Sequence, residues 1–177
     1  MEAIYAIDIK NGLSKDGYIP WKSKKDMSFF FNKTKNNVVI MGKNTFFSLP
    51  LTVRPLKNRL NIVLTSTPEL YANEDIANNK NTIFTSNDQI HNFILANTNK
   101  YLSLYPYLNK NFIIYFIGGK QIYEKYIPIC NTIWVTKLKT DYVCDLTFNY
   151  DFDSFIEDIY EEDEELKIIK YTKQFQN

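Results

Sequence analysis

Apolar runs of strand length alternate with helix-length segments along this chain. The alternation predicts an α/β fold with a mixed, mostly parallel central sheet and helices on both faces. Two observations refine that class. Near the C-terminus, FIEDIY and KIIKYTKQF flank the acidic stretch EEDEE, as an antiparallel strand pair around a charged turn would. In addition, two apolar runs, NVVIMGKNT at 37–45 and FIIYFIGG at 112–119, break off in glycine just before a helix-like segment. Bare backbone N–H groups at such a junction suit a bound phosphate, and parallel sheets bind ligands at the carboxyl ends of their strands.

The elements follow in order. Residues 3–9 (AIYAIDI) read as a short strand with Asp8 near its end, and the turn residues and proline of 10–22 predict a loop. SKKDMSFFFNKTK reads as a helix, because Met27, Phe30 and Phe31 recur at helical spacing. VVIM (38–41) is a buried strand, and NTFFSL opens a second helix after Gly42. NIVLTS (61–66) and TIFTS (82–86) are strands, and SNDQIHNFILAN begins with a capping-box pattern, Ser86 to Gln89, that predicts a helix. The polar, tyrosine-rich stretch 97–111 reads as a surface insertion, a decorated loop more than a contact surface. FIIYFI (112–117) is a strand, GGKQIYEKYI a helix stopped by Pro128, and TIWVTKL (132–138) a strand. The spacing of the tail also permits helix.

At 177 residues the chain is expected to be one domain, 1–177, able to bury a full core. A formal charge of +1 gives no electrostatic basis for nucleic acid or a membrane surface as the main partner. No apolar run approaches the length needed to span a bilayer, and MEAIYAIDIK lacks a signal-like apolar stretch. Cys130 and Cys144 have neither metal nor redox spacing, and the lone His91 cannot complete a zinc site. A cytoplasmic, metal-free protein, acting as a monomer, is expected.

Three groups of residues carry candidate chemistry. Asp26 lies three residues after Ser23, which reads as an acid in the first turn of a capped helix. It also shares a face with Phe30, so that an acid and a ring could together hold a flat heterocycle. Gly42 and the Gly118-Gly119 pair are turns in the plain reading and phosphate cradles in the functional one. They do not complete the dinucleotide fingerprint G-x-G-x-x-G, which argues against an ordinary Rossmann domain. Arg54 and Arg59 are the only arginines, and arginine is preferred for two-point carboxylate binding. Each also reads as an exposed loop residue.

Taken together, IPWKSKKDMSFF, VVIMGKNTFFSLPLTVRPLKNRLNIVLTS, FIGGKQIYE and CDLTF occur in the order and at the distances of dihydrofolate reductases. The chain resembles that family over nearly its full length. The resemblance implies NADPH-dependent reduction of 7,8-dihydrofolate to tetrahydrofolate, with dihydrofolate and NADPH as the partners. It makes Asp26 the carboxylate that binds the pterin 2-amino group and N3, Thr136 its hydroxyl partner, and Trp21 the residue that holds a water beside the pterin. The carbonyls of Ile4 and Ile117 would line the inner pocket, Phe30, Leu49 and Leu56 would wall it, and Arg59 would clamp the glutamate α-carboxylate. Cofactor contacts would come from Ala6, Gly42, Lys43, Asn44, Thr45, Thr65, Ser66, Gly118, Gly119, Lys120, Gln121 and Tyr123. Ile19 would close over the nicotinamide, and the Gly118-Gly119 bond would be cis.

The chain departs from the pattern where the 2′-phosphate is met. Ser66 and Thr67 replace a basic residue, which leaves Lys43, with further contacts to come from elsewhere, such as the segment 72–81. The expected consequence is a narrower preference for NADPH over NADH. Lys120 places a cation at a helix start, unfavourable for the dipole but attractive to a pyrophosphate. Two other functions compete. A ribosylated-pyrimidine reductase would need sugar-phosphate contacts in place of Asp26, Trp21 and Arg59. A folate-binding protein without turnover would use the 97–111 stretch as a contact surface.

Overall fold

Alternation along β1 (Glu2–Ile7) decides the layout: Ala3, Tyr5 and Ile7 enter one hydrophobic cluster, Ile4 and Ala6 another on the opposite face. The computed structural model describes residues 1–71 and 80–174. Most of the 72–81 segment, and Phe175 at the end of the expected tail strand, lie outside the described residues.

β1 lies within an eight-stranded sheet. The other strands are β3 (Val38–Gly42), β4 (Leu60–Leu64), β5 (Thr82–Thr85), β6 (Ile114–Phe116), β7 (Thr132–Leu138), β9 (Phe155–Glu162) and β10 (Leu166–Lys173). Their order is β5-β4-β3-β6-β1-β7-β10-β9. Pairing is parallel from β5 through β7 and antiparallel from β7 to β10 and β9, so the fold is a single α/β domain with the expected antiparallel pair. Val38, Val39, Ile40 and Met41 have no solvent exposure, as an interior strand covered on both faces requires.

Two layers of helix cover the sheet. On the Ile4 face lie α1 (Lys24–Thr34) and α2 (Lys43–Ser48), which bury Phe29 and Phe46 against Val39, Met41 and Trp134. On the Tyr5 face lie α3 (Ile90–Ala96), α4 (Thr98–Leu104) and α5 (Lys120–Tyr126), which bury Ile94, Tyr101 and Tyr126.

Four expectations are corrected. The loop 10–22 contains β2 (Gly12–Ser14), clipped antiparallel to β8 (Leu146–Thr147). The face of α1 turned to the core is that of Phe29, while Met27 is 65% and Phe31 43% exposed. Helical spacing marks an apolar stripe, but it does not say which of two adjacent stripes packs. The Ser86–Gln89 capping box does not form. Asn87 Oδ1 accepts from the Gln89 N–H at 2.9 Å, and this local turn holds the helix off until Ile90. Finally, the 97–111 stretch is no bare surface loop: it forms α4 and sends Tyr101 and Leu108 into the core. Tyrosine carries enough apolar area to anchor an otherwise polar segment.

The cap of α1 was legible. Ser23 Oγ accepts from the Asp26 N–H at 3.1 Å. Ser23→Ala should therefore cost about 1 kcal/mol in urea unfolding, with little change in turnover, because Ala removes the cap without touching the Asp26 carboxylate.

Candidate active site

The first turn of α1 delivers Asp26 to the side of the sheet. Trp21 donates its Nε1–H to Asp26 Oδ2 at 3.3 Å, and the Thr136 hydroxyl of β7 bonds the same carboxylate. Burial raises the Asp26 pKa above the ordinary carboxylate value; the Thr136 and Trp21 bonds oppose the shift, and Glu165 adds to it. Trp21, expected to hold a water beside the pterin, thus reaches the acid itself. Ala6 pairs with Thr136 and Ile4 with Trp134 across the β1–β7 ladder, so the strands bring both to the acid's face. Ile4, Leu56 and Ile117 are buried in one cluster with Trp21, and half-buried Phe30 and Leu49 pack against it. The apolar residues scattered over the sequence are therefore one wall.

Arg59 is 3% exposed. Its guanidinium donates to Thr34 Oγ1 (2.8 Å), the Lys57 carbonyl (2.9 Å) and the Phe31 carbonyl (3.3 Å), and lies 4.9 Å from the Phe31 ring centre. Among the described residues it has no acidic partner, and burial pushes its pKa down to about 10. A buried cation held only by neutral oxygens suits an incoming anion. Arg54, by contrast, donates to the Phe47 carbonyl at 3.1 Å and covers the Phe47 ring.

The two glycine turns meet. The Gly42 N–H donates to the Gly118 carbonyl at 2.8 Å, and the Gly118-Gly119 bond is cis. Gly118 has φ of +110°, and a Cβ there would lie 2.7 Å from the Tyr123 hydroxyl. A Cβ on Gly119 would lie 3.1 Å from Thr45 Oγ1, so the starts of α2 and α5 nearly touch. Gly42 and Gly119 are the N-caps of these helices and supply no side-chain cap, which leaves the opening N–H groups without one. Lys43, Asn44 and Thr45 begin one helix, and Lys120 and Gln121 the other. Tyr123 sits behind the turn, 4% exposed, with its hydroxyl 3.2 Å from the Ile4 carbonyl. It links the glycine junction to the acid's wall.

The remaining positions are peripheral. Thr65 Oγ1 accepts from the Thr67 N–H at 3.3 Å, Ser66 is exposed, and Ile19 is 62% exposed on the loop. Lys43 forms no ion pair among the described residues, whereas Lys120 lies 3.9 Å from Glu124. No cluster of His, Cys, Asp and Glu among the described residues could hold a metal ion. Among the described residues no helix is long and apolar enough to cross a membrane.

Sequence reasoning missed Asp8 and Tyr142. Asp8 has no solvent exposure and accepts from the N–H groups of Lys10 (2.9 Å), Gly12 (2.7 Å) and Tyr142 (3.1 Å), and from the Cys144 thiol. It knots the root of the 10–22 loop to the 142–144 turn, where the Tyr142 ring braces Trp21 at 5.5 Å. The available signal was an acid closing an apolar run just ahead of Asn11-Gly12.

Comparison with known proteins decides the family: the dihydrofolate reductase model matches residues 1–177. The chain belongs to the dihydrofolate reductase family. With that membership come the oxidoreductase class and the reduction of dihydrofolate with NADPH. A dihydrofolate reductase of Ureaplasma parvum is 31% identical, over 88% of this chain and 85% of that protein. A bifunctional dihydrofolate reductase-thymidylate synthase of Zea mays is 33% identical over 76% of this chain, which spans only 25% of that longer protein. Among solved structures, a dihydrofolate reductase from Enterococcus faecalis, complexed with NADP(H) and RAB-propyl, superposes with a TM-score of 0.70. It shares 26% identity, over 98% of this chain and 96% of that one.

Acid unfolding tests the Asp8 knot. Burial alone would raise its pKa, but the three N–H groups and the thiol outweigh burial and hold the carboxyl below its usual value. A lowered folded-state pKa contributes stability above the unfolded value, lost as pH falls through the folded one. Asp8→Asn should therefore be less stable at neutral pH, with the deficit shrinking on acidification. A deficit that does not vary with pH would show that the charge of Asp8 is not what holds the knot.

Proposed function

We propose that the chain reduces 7,8-dihydrofolate to 5,6,7,8-tetrahydrofolate through the residues assembled above, and so supports one-carbon metabolism and thymidylate synthesis. The observation that carries this reading is the half-buried Asp26 carboxylate, held by Trp21 and Thr136 beside the apolar wall. A carboxylate so placed can accept from the pterin 2-amino group and N3 while Phe30, Leu49 and Leu56 pack on the rings. Arg59 meets the glutamate α-carboxylate, and its hydrogen bonds to Thr34, Lys57 and Phe31 fix the guanidinium before the substrate arrives.

The junction of the two glycine turns fits NADPH. Cβ atoms are missing where α2 and α5 approach, and both helix starts lack side-chain caps. When bound, NADPH supplies the hydride that goes to pterin C6. Lys43, Asn44 and Thr45 would hold one flank of the cofactor, Gly119, Lys120 and Gln121 the other. Lys43 and the Thr65 and Ser66 hydroxyls would meet the 2′-phosphate. Asp26 polarises the pterin, and water carries the proton to N5. The apolar wall and the Ile19 loop hold two rings in contact and exclude bulk water. The reading carries with it a cytoplasmic monomer with neither nucleic acid nor membrane as partner.

Asp26→Asn tests the assignment. The folded state raises the Asp26 pKa, so ionisation costs stability as pH climbs past the unfolded value, and a neutral amide escapes that cost. The purified variant should melt no lower than the parent at neutral pH, yet lose most dihydrofolate-dependent NADPH oxidation. Full turnover in that variant would remove Asp26 from the chemistry. A parent that binds folate but oxidises no NADPH would leave the binding-protein reading.

A further inference from the structure

β7 has a second side. Thr136 faces the candidate active site, and its neighbour Lys137 points to the opposite face of the sheet. There Lys137 borders a separate cavity of about 180 Å³ with Tyr5, Phe148, Tyr150, Tyr171 and Asn149. No residue assigned to pterin or cofactor lines it.

The walls are aromatic. The Phe148 ring stands edge-on to Tyr5 at 5.3 Å, and Tyr171 is stacked on Phe152 at 3.8 Å. Two polar groups on this mixed aromatic and polar lining, which also includes Asn11 and Asn149, are unspent. Tyr5 borders the cavity, and its hydroxyl has no hydrogen-bond partner among the described residues. The hydroxyl opens onto the cavity, where it is free to donate to a bound acceptor. Lys137 makes no ion pair among the described residues. The neighbouring carboxylate, Glu157, is already taken by the Tyr171 hydroxyl (2.9 Å) and Lys167 (3.4 Å).

Volume narrows the ligand. A cavity of roughly 150 Å³ accepts one benzene ring, so this one has room for a single ring with a small substituent. A ring gains from edge and face contacts with the aromatic walls, and an anion gains from a lysine and a phenol at one end. We propose that this cavity is a second binding site, for a monocyclic aromatic carboxylate. The ring lies among Phe148, Tyr150 and Tyr171, and the carboxylate meets the Lys137 ammonium and accepts from the Tyr5 hydroxyl. The site stands apart from Asp26 and does not depend on how the reductase site works.

Sodium benzoate is the probe, titrated by calorimetry and thermal shift with the candidate active site kept saturated by dihydrofolate. The unmodified chain should bind benzoate and melt higher in its presence. Lys137→Met should weaken binding by about tenfold, the cost of one charged hydrogen bond, and Tyr5→Phe should weaken it by less. Benzyl alcohol, which keeps the ring without the charge, should bind more weakly and be indifferent to Lys137→Met. Acetate, which keeps the charge without the ring, should not bind. The proposal is overturned if tens of millimolar benzoate leave the unmodified chain unaffected. It is equally overturned if dihydrofolate displaces benzoate, or if a folded Lys137→Met or Tyr5→Phe variant binds it as tightly as the parent.

Discussion

The hydrogen bond from the Gly42 N–H to the Gly118 carbonyl, 2.8 Å long, is the joint on which the site depends. It forms because β3 and β6 are neighbours in the sheet, β3 ending in Gly42 and β6 being followed by Ile117 and Gly118 at the same edge. The first turns of α2 and α5 approach from opposite faces of the sheet so closely that a Cβ on Gly119 would crowd Thr45 Oγ1 at 3.1 Å. A single Rossmann turn offers one helix start to a dinucleotide; the reading proposed for this chain gives it two half-sites, joined backbone to backbone. The order β6-β1-β7 then sets Ile4 and Thr136 beside the joint, and Tyr123 reaches from behind Gly118 to the Ile4 carbonyl. Cofactor edge and acid wall are thereby parts of one framework.

Two aspartates, one buried and one half-buried, show how the fold divides structural from chemical work. Asp8 is surrounded by three backbone N–H groups and a thiol, which more than offset its burial, so it is a stable anion that holds a loop in place. Asp26 is given only Trp21 and Thr136, burial prevails, and its pKa rises. A carboxylate left short of donors is a cost to the folded chain and an acceptor for an arriving pterin. Arg59 mirrors this logic with the opposite charge: neutral oxygens fix it, and no acid neutralises it among the described residues.

Legibility in the sequence followed burial. TIWVTKL was read with its observed bounds, and VVIM to within a residue, because interior strands are continuous apolar runs set off by polar neighbours. The acidic turn between β9 and β10 was legible for a similar reason, since a run of like charge cannot be buried. The start of α3 was not, because Asn87 offers the backbone a local partner that competes with the helix. Nor was α4, whose polar composition hides the anchoring area of Tyr101. At the site, residue types and spacing pointed to Asp26, Arg59 and the glycines, as did the resemblance. That Arg59 is braced by Phe31 and Thr34, and that Asp8 ties two loops together, are tertiary facts without a local pattern.

The account rests on the two glycine turns forming one cofactor cleft, and Gly119→Ala tests this most directly. The added methyl would sit 3.1 Å from Thr45 Oγ1, close enough to fill the gap but against a side chain that can give way. NADPH binding, followed by cofactor fluorescence, should weaken by about tenfold or more, equivalent to at least about 1.4 kcal/mol, while circular dichroism reports an intact fold. An Ala variant that folds and binds NADPH as tightly as the parent would contradict the claim, and the cofactor would have to lie elsewhere.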